Sequence, residues 1–250
     1  MSKPIPGKAY GSIPHLPGSR LGSGDYHCDA GQVEIATGLG RRPSERCRDR
    51  VIVTEKLDGG CTAIARIEGR LLALIRAGYL ANSSPFEHLR LFAHWVDMNI
   101  DRFNVLAEGE RMVGEWMAIG HGTRYQLHGE PFIPFDIMTG FGNKGRRLPH
   151  DQARRKFENA GLVAAKVLHD GGPLTLDEAR RLLGPYGHHG ALEAPEGVVY
   201  RVETDGDCNF LCKWVDPNKL DGRYLPEFSG AAPIIQWPSE AYDVPAFAKA

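Results

Sequence analysis

Nothing in this chain of 250 residues approaches the roughly 18 consecutive apolar residues that a membrane-spanning helix needs. Its start, residues 1–11, carries Pro4, Pro6 and Gly7 where a secretion signal has an apolar core. A cytoplasmic protein without a membrane partner is therefore expected. There is no Cys-x-x-Cys pair, and the five cysteines (Cys28, Cys47, Cys61, Cys208, Cys212) are odd in number. Both facts argue against a disulfide framework and against a zinc ribbon. Cys208 and Cys212 stand four apart in an apparent strand, so both are expected on one face, buried as small hydrophobes. Net charge is −1, so no overall field draws the chain to a polyanion, and any such contact must come from local basic patches. Internal repeats and low-complexity tracts are also missing.

What is present is an ordinary globular composition, 42% hydrophobic and 24% charged. That is enough for a sizeable core in one large domain, alone or with a small appendage. Residues 1–50, rich in Gly, Pro, Ser and Arg, read as a loop-rich lead-in with a short strand at 33–36. An irregular segment of that length is either disordered or functional. From Val51 short apolar runs recur, at 51–53, 62–67, 71–75, 105–107, 112–117 and 132–138. Turn residues separate them, and Glu68-Gly69 joins two strands tightly. Ser84-Pro85-Phe86-Glu87 reads as a capping box with proline at the first helical position. Phe86, Leu89, Phe92, Ala93 and Val96 then give one apolar helical face, on which Phe92 and Trp95 are expected in the core. Helices are also expected at 150–159, ended by Gly161, and after the Thr175-Leu176-Asp177-Glu178 capping box to Leu183, with Gly184 as stop. Strands resume at 197–202 and 210–215, and residues 226–250 read as a proline-rich extended tail. Strands in runs with a few inserted helices argue an α+β fold with mainly antiparallel sheet.

Chemistry enters at Glu55-Lys56-Leu57-Asp58-Gly59-Gly60. A lysine closing an apolar strand before a glycine turn projects into a cleft, where glycines let a phosphate approach the backbone. Alone the motif is weak, since a lysine in a turn is more often a solvated surface group. Further segments follow in order: Ile75-Arg76-Ala77-Gly78, Val113-Gly114-Glu115-Trp116, Phe132-Ile133-Pro134-Phe135-Asp136-Ile137, Glu196-Gly197-Val198-Val199-Tyr200 and Leu211-Cys212-Lys213-Trp214-Val215. Apolar strands rarely carry Glu or Lys, because an unpaired buried charge is costly. Any one of these is explained by a salt bridge or an edge position; the ordered set is not.

In that order the six segments resemble nucleotidyl motifs I, Ia, III, IIIa, IV and V of the covalent nucleotidyltransferases, the superfamily of RNA ligases, DNA ligases and mRNA capping enzymes. The resemblance spans about residues 51–225. The Arg76 context and the Phe-Asp-Ile segment are most similar to nick-sealing RNA ligases of phage and bacteria. Pro14-His15-Leu16-Pro17-Gly18-Ser19-Arg20 resembles the lead-in of bacterial members. The resemblance implies the ligase adenylation-domain fold, two antiparallel sheets with flanking helices and a nucleotide cleft between them. It implies three domains of sequence: a lead-in at 1–50, the nucleotidyltransferase at 51–225 and the tail at 226–250.

It also implies an ATP-dependent RNA ligase. Lys56 attacks the α-phosphorus of ATP, AMP passes to a 5′-phosphate, and a 3′-hydroxyl displaces it. The cofactors implied are ATP with Mg²⁺ or Mn²⁺. Glu115 and Glu196 would orient the hydrated metal, with Asp58 supporting its water shell and Glu115 near the ribose. Arg76 would hold ribose or phosphate, Phe135 would stack on adenine, Glu55 would lie near the base, and Lys213 would offset phosphate charge. The lysine attacks only as a neutral amine; nearby cations, a metal or Lys213, lower its pKa, whereas Asp58 raises it. An ATP-dependent DNA ligase, a guanylyltransferase or a non-catalytic end-binding module are the alternatives, the last disfavoured by intact Lys56, Glu115, Glu196 and Lys213.

Two features depart from the pattern. Motif V in many ligases has a second lysine two positions after the first; Val215 stands there, unless Lys213 is itself the second, and Lys219 is a substitute. Only about 35 residues follow motif V, with no evident C-terminal module to grip a polynucleotide. The partners implied are nucleic acid, RNA above all, and a protein supplying that grip. Arg41, Arg42, Arg46, Arg48 and Arg50 are the best candidates for backbone phosphate contact. Lys144, Arg146 and Arg147, and Arg154, Arg155 and Lys156, read as solvated surface. His121, His128, His188 and His189 read as loop histidines without the spacing of a metal site.

Overall fold

The structure, a computed structural model, describes residues 3–40 and 48–237. Arg41, Arg42, Arg46, Cys47, Pro238 and Pro245 lie outside the described residues.

Alternation and two tight turns set the architecture. Strands β1 (Asp49–Lys56), β2 (Gly60–Ile67), β3 (Arg70–Ile75), β4 (Glu110–Trp116), β5 (Phe132–Thr139), β6 (Arg146–Arg147), β7 (Val167–Gly171), β8 (Gly197–Thr204) and β9 (Asp207–Val215) form two sheets. One has the order β7-β1-β8-β9, the other β3-β2-β4-β5-β6. Every ladder between these strands is antiparallel, as the sequence pattern predicts. Glu68 (φ 50°) and Gly69 (φ 73°) turn β2 into β3, and Asp205 (φ 52°) with Gly206 (φ 89°) turns β8 into β9. Two successive positive φ values give the turn whose twist matches a hairpin.

Among the described residues the helices are α1 (Ala30–Thr37), α2 (Glu87–Met98), α3 (His150–Asn159), α4 (Leu176–Leu183) and α5 (Pro226–Ser229). In β1, β8 and β9 side chains alternate between two environments. Val51, Val53, Val198, Tyr200, Cys212 and Trp214 share a core with Ala36 of α1 and with Ala179 and Leu183 of α4. Ile52, Thr54, Lys56, Val199, Arg201, Leu211 and Lys213 instead line a cleft between the sheets. The second sheet buries Met112, Trp116 and Phe132 against Phe92 and Trp95 of α2, the core position expected for those two aromatics. β1 belongs to one sheet and β2 to the other, so Leu57-Asp58-Gly59 carries the chain across the cleft beside Lys56.

Six details differ from the sequence reading. Residues 33–36 are helical, within α1. Asp29 accepts from the Gln32 N–H (2.8 Å), Gln32 accepts from the Asp29 N–H (3.2 Å), and Gly38 closes the helix at φ 72°. Residues 84–87 form no capping box: the Ser84 hydroxyl accepts from the Phe86 N–H (3.2 Å), and α2 starts at Glu87 without a side-chain cap. The 105–107 run is not a strand but the end of a 3-10 turn (Ile100–Val105), fixed where Arg66 Nε donates to the Leu106 carbonyl at 2.7 Å.

The other three concern a strand face, a charged side chain and the tail. Cys208 and Cys212 do not share a face. Val202 pairs with Phe210 but Glu203 pairs with Cys208, so Asn209 is an extra residue that reverses the alternation. Arg50 is not free for phosphate: it donates to Asp170 (2.7 Å) and Asp151 (2.9 Å), anchoring β7 and α3. The tail, as far as residue 237, is not a loose extension either. Gln236 Nε2 donates to the carbonyls of Met117 (3.0 Å) and Ile119 (3.1 Å), its Oε1 accepts from the Tyr125 N–H (2.7 Å), and Trp237 is buried beside Trp116. We expect Trp237→Ala to cost about 3 kcal/mol in chemical denaturation, the usual range for a buried aromatic; an unchanged midpoint would make the segment dispensable.

The lead-in is joined to both sheets. Ile5, Ala9 and Tyr10 share a core with Ala63, Leu74 and Val113. Leu16 N–H donates to the Lys213 carbonyl (2.8 Å) and Lys213 N–H to the Pro14 carbonyl (3.0 Å), so residues 14–16 extend the first sheet past β9. Among the described residues no helix is long and apolar enough to cross a membrane.

Candidate active site

Lys56 ends β1 and pairs in the ladder with Gly197, the first residue of β8. At Gly197 the backbone sits at φ 157°, and a Cβ there would run into the Trp214 carbonyl oxygen, so only glycine fits. This close approach sets Glu196 against Lys56: Lys56 Nζ donates to Glu196 Oε2 at 2.6 Å. From the opposite sheet, Glu115 on β4 lines the same space, its Oε2 buried without a hydrogen-bond partner.

The electrostatics follow from burial plus like charge. Burial pushes the Glu115 carboxyl up to about 8; Lys56 opposes, and the neighbouring Glu196 and Asp58 add to the rise. Glu196 is raised to about 6, again chiefly by burial. For Lys56 burial favours the neutral amine, but the carboxylates of Glu196, Glu115 and Asp58 outweigh it and hold the amine above the ordinary lysine range. Lys56 is therefore protonated at neutral pH in this state. Lys213, facing the same cavity from β9, is shifted down, first by burial and then by the Lys56 charge. Replacing Glu196 by Gln removes the nearest carboxylate and lowers the Lys56 pKa. Acylation of Lys56 by a neutral amine reagent at pH 8 should then run several-fold faster than in the unaltered chain, read by peptide mapping; an unchanged rate would show that the 2.6 Å pair does not control the amine.

Two cavities meet at Lys56. The inner one is a slot with Phe135 and Glu115 from one sheet and Ile52, Val199 and Leu211 from the other. The outer one is polar, lined by Asp58, Glu196, Lys213, Arg20 and His121 among others. Arg76 borders both, its guanidinium 3.3 Å from the Ser12 hydroxyl. Phe135 reaches the slot through a bulge: Val113 pairs with Asp136 and Gly114 with Pro134, leaving Phe135 unpaired between them. Bulges of this kind re-aim a side chain beside a site and tolerate a proline. Glu55 also borders the slot; its Oε2 accepts from His188 N–H and faces His189 Nδ1, both at 2.9 Å, while its Oε1 is buried unpartnered.

Thus Lys56, Glu55, Arg76, Glu115, Phe135 and Lys213 line one cleft, and Asp58 and Glu196 lie at its outer end. Asp58 is already held. Its Oδ2 accepts from the Gly122 N–H (2.9 Å) and meets Lys219 Nζ at 2.7 Å, and Lys219 also bonds the Thr123 hydroxyl. Lys219 is buried and serves Asp58 rather than standing open to a phosphate. Val215, in the place of a second motif lysine, is buried too. Among the described residues no three His, Cys, Asp or Glu side chains gather closely enough to ligate a metal ion directly. The unpartnered Glu115 oxygen and the raised Glu115 and Glu196 nonetheless form a carboxylate pair that a cation would satisfy.

The sequence reading missed two groups. Asp136, fully buried on β5, accepts from Tyr10 Oη (3.0 Å), Arg147 Nε (2.9 Å) and Arg201 Nη1 (3.1 Å), tying lead-in and both sheets together at the inner end of the slot. Asp136 stands in a motif segment and Arg201 directly follows one, but nothing local announces their pairing. His15, buried beside Lys213, bonds the Ser19 hydroxyl through Nδ1 (2.6 Å) and faces Asp25 through Nε2 (3.2 Å). Burial and then the Lys213 charge hold its imidazole below the histidine range.

Comparison with known proteins bears on the fold and the family. Among solved structures, a Naegleria gruberi RNA ligase mutant with ATP and Mn superposes at a TM-score of 0.52 and 18% identity, covering 86% of this chain and 59% of that one. An apo mutant of the same ligase gives 0.52 at 17% identity, covering 92% and 62%. A mutant with AMP and Mn gives 0.50 at 18%, covering 86% and 59%. This chain therefore spans about three-fifths of the length of those ligases, which share its fold. No curated protein sequence matches it. The RNA ligase family profile matches residues 49–215, the stretch from the start of β1 to the end of β9 that carries Lys56, Glu115, Glu196 and Lys213, and the chain belongs to that RNA ligase family.

Proposed function

We propose that this chain is the adenylylating core of an ATP-dependent RNA ligase, which joins 3′-hydroxyl and 5′-phosphate ends through AMP carried on Lys56. The observation that carries the reading is the Lys56 amine at the cleft's centre, 2.6 Å from Glu196 and between the slot and the outer cavity. ATP, present with Mn in the Naegleria structure, fits this layout with its base in the Phe135 slot and its α-phosphate at Lys56.

In the first step a bond forms between Lys56 Nζ and the α-phosphorus, the bond from that phosphorus to the bridging oxygen breaks, and pyrophosphate leaves. The Lys56 proton starts between Nζ and Glu196 Oε2, so Glu196 is the nearest group to receive it as the bond to phosphorus forms. Lys213, half-buried on the same cavity, opposes the growing phosphate charge, and Arg76 holds ribose or phosphate at the junction of the two cavities. Asp58, locked by Lys219 and Gly122, fixes the turn that aims Lys56. A divalent cation, held largely through its water shell by Glu115, Glu196 and Asp58, would supply charge neutralisation. The polynucleotide 5′-phosphate then takes AMP from Lys56, and the 3′-hydroxyl displaces it.

Substrate choice is read by offering the adenylylated protein nicked RNA, nicked DNA and hybrid duplexes. Sealing of the RNA nick in preference to the DNA nick is expected. Sealing of DNA alone would move the assignment to a DNA ligase, and labelling with GTP in place of ATP would move it to a guanylyltransferase. A partner protein that supplies grip on the polynucleotide is expected to raise sealing without changing self-adenylylation.

A further inference from the structure

Phe135 is the extra residue of a bulge, outside the regular ladder that fixes its neighbours. Its ring is therefore not set by strand pairing, yet stacking on a base demands a fixed plane. It packs against a cluster that includes Leu57 and Ala165 from outside the strands, and among the described residues one aromatic ring is paired with it. Tyr10, from the lead-in, lies edge-on to Phe135 with ring centroids 5.2 Å apart at 71°. Tyr10 is itself locked. It is 4% exposed, its hydroxyl donates to Asp136 at 3.0 Å, and the Arg147 guanidinium lies 5.1 Å over its ring. Asp136 is also held by Arg201 from the opposite sheet. The ring that contacts Phe135 is thus referenced to both walls of the cleft.

We propose that Tyr10 is a positioning residue for the nucleotide base: its ring edge holds Phe135 in the plane that stacks. This rests on the reading of the slot as the base site. The lead-in is then part of the nucleotide pocket, and its Tyr10 sets ATP affinity without belonging to any nucleotidyl motif. An edge-to-face pair of this kind carries a two- to thirteenfold effect, as an order of magnitude.

The test is a double-mutant cycle on self-adenylylation by the full chain, reading half-saturating ATP and maximal rate, with thermal melting to confirm folding. Tyr10→Leu is expected to raise half-saturating ATP by roughly two- to thirteenfold, with a smaller change in maximal rate. Tyr10→Phe, which keeps the edge and loses only the hydroxyl, is expected to restore most of the affinity. In a Phe135→Ala background Tyr10→Leu should add little, because the group it positions is gone. Equal effects in both backgrounds, or an effect confined to maximal rate, would overturn the proposal. So would Tyr10→Phe raising half-saturating ATP as far as Phe135→Ala does. If Phe135→Ala itself leaves ATP use unchanged, the base site is misread and Tyr10 falls with it. If Phe135→Ala weakens ATP and Tyr10→Leu does not, Tyr10 alone is misread. Should Tyr10→Leu fail to fold, Tyr10→Met takes its place in the cycle.

Discussion

Lys56→Ala is expected to abolish covalent labelling by α-labelled ATP, a fall of at least about a thousandfold for loss of a nucleophile, while the melting curve stays cooperative. The reason is positional. Lys56 and Lys213 are the two lysines that line both the slot and the outer cavity; Lys219, at the outer end, is tied to Asp58 and Thr123. Lys213 sits in mid-strand on β9 as a counter-charge, whereas Lys56 ends β1 at the crossing between sheets. Lys56→Arg should be equally inactive, since a guanidinium keeps its proton and cannot attack phosphorus. The fold should survive because Glu196, which loses its partner, already titrates near 6 and can take up a proton. Labelling that persists in Lys56→Ala at more than a few per cent would transfer the nucleophile elsewhere.

Chelation of divalent metal is expected to have an effect of similar size. Glu196 and Asp58, with Glu115 when it is ionised, surround the amine and hold its proton. Adding the phosphates of ATP to that cavity brings more negative charge than Lys56, Lys213 and Arg76 can offset. Transfer at phosphorus depends mostly on positioning and on neutralising such charge. With excess EDTA, labelling should drop to background; Mg²⁺ or Mn²⁺ should restore it, and the melting curve should shift little, since Glu115, pushed up to about 8, can stay protonated and Glu196 keeps its pair with Lys56. Full labelling in a metal-free reaction would show that the carboxylates serve structure alone.

The segments that meet in the cleft were legible because most place a charge in an apolar strand, an event with few structural causes. The hairpin at Glu68-Gly69 and helices α3 and α4 were legible because their signals are local: a two-residue turn, a capping box, a glycine stop. What escaped was information that sequence carries only across distance. The bulge that frees Phe135 depends on the register between β4 and β5. The Asn209 bulge, which sends Cys208 and Cys212 to different faces, depends on β8. Lys219 reads as a spare phosphate lysine until Asp58 is found 2.7 Å away, 161 positions earlier in the chain. Helix α1 was misread for a different reason. Its AGQVEIAT segment has no marked apolar face, and the Asp29-x-x-Gln32 cap that defines it is a weak signal without one. The lead-in shows the same limit: Pro14 to Arg20 marks it as functional by resemblance, but that Tyr10 reaches Phe135 is a fact of packing.

AMP carried on Lys56 should pass to a polynucleotide end. The decisive measurement incubates the chain with ATP labelled at the α-phosphate and a divalent metal, removes free nucleotide, and maps the label by proteolysis. Half of the labelled protein is then chased with a nicked RNA duplex bearing a 5′-phosphate. One AMP per chain on the peptide containing Lys56, acid-labile as a phosphoramidate is, and lost to the RNA in the chase as the nick closes, is the predicted result. Label on another residue, or label on Lys56 that no polynucleotide end can discharge, would contradict it.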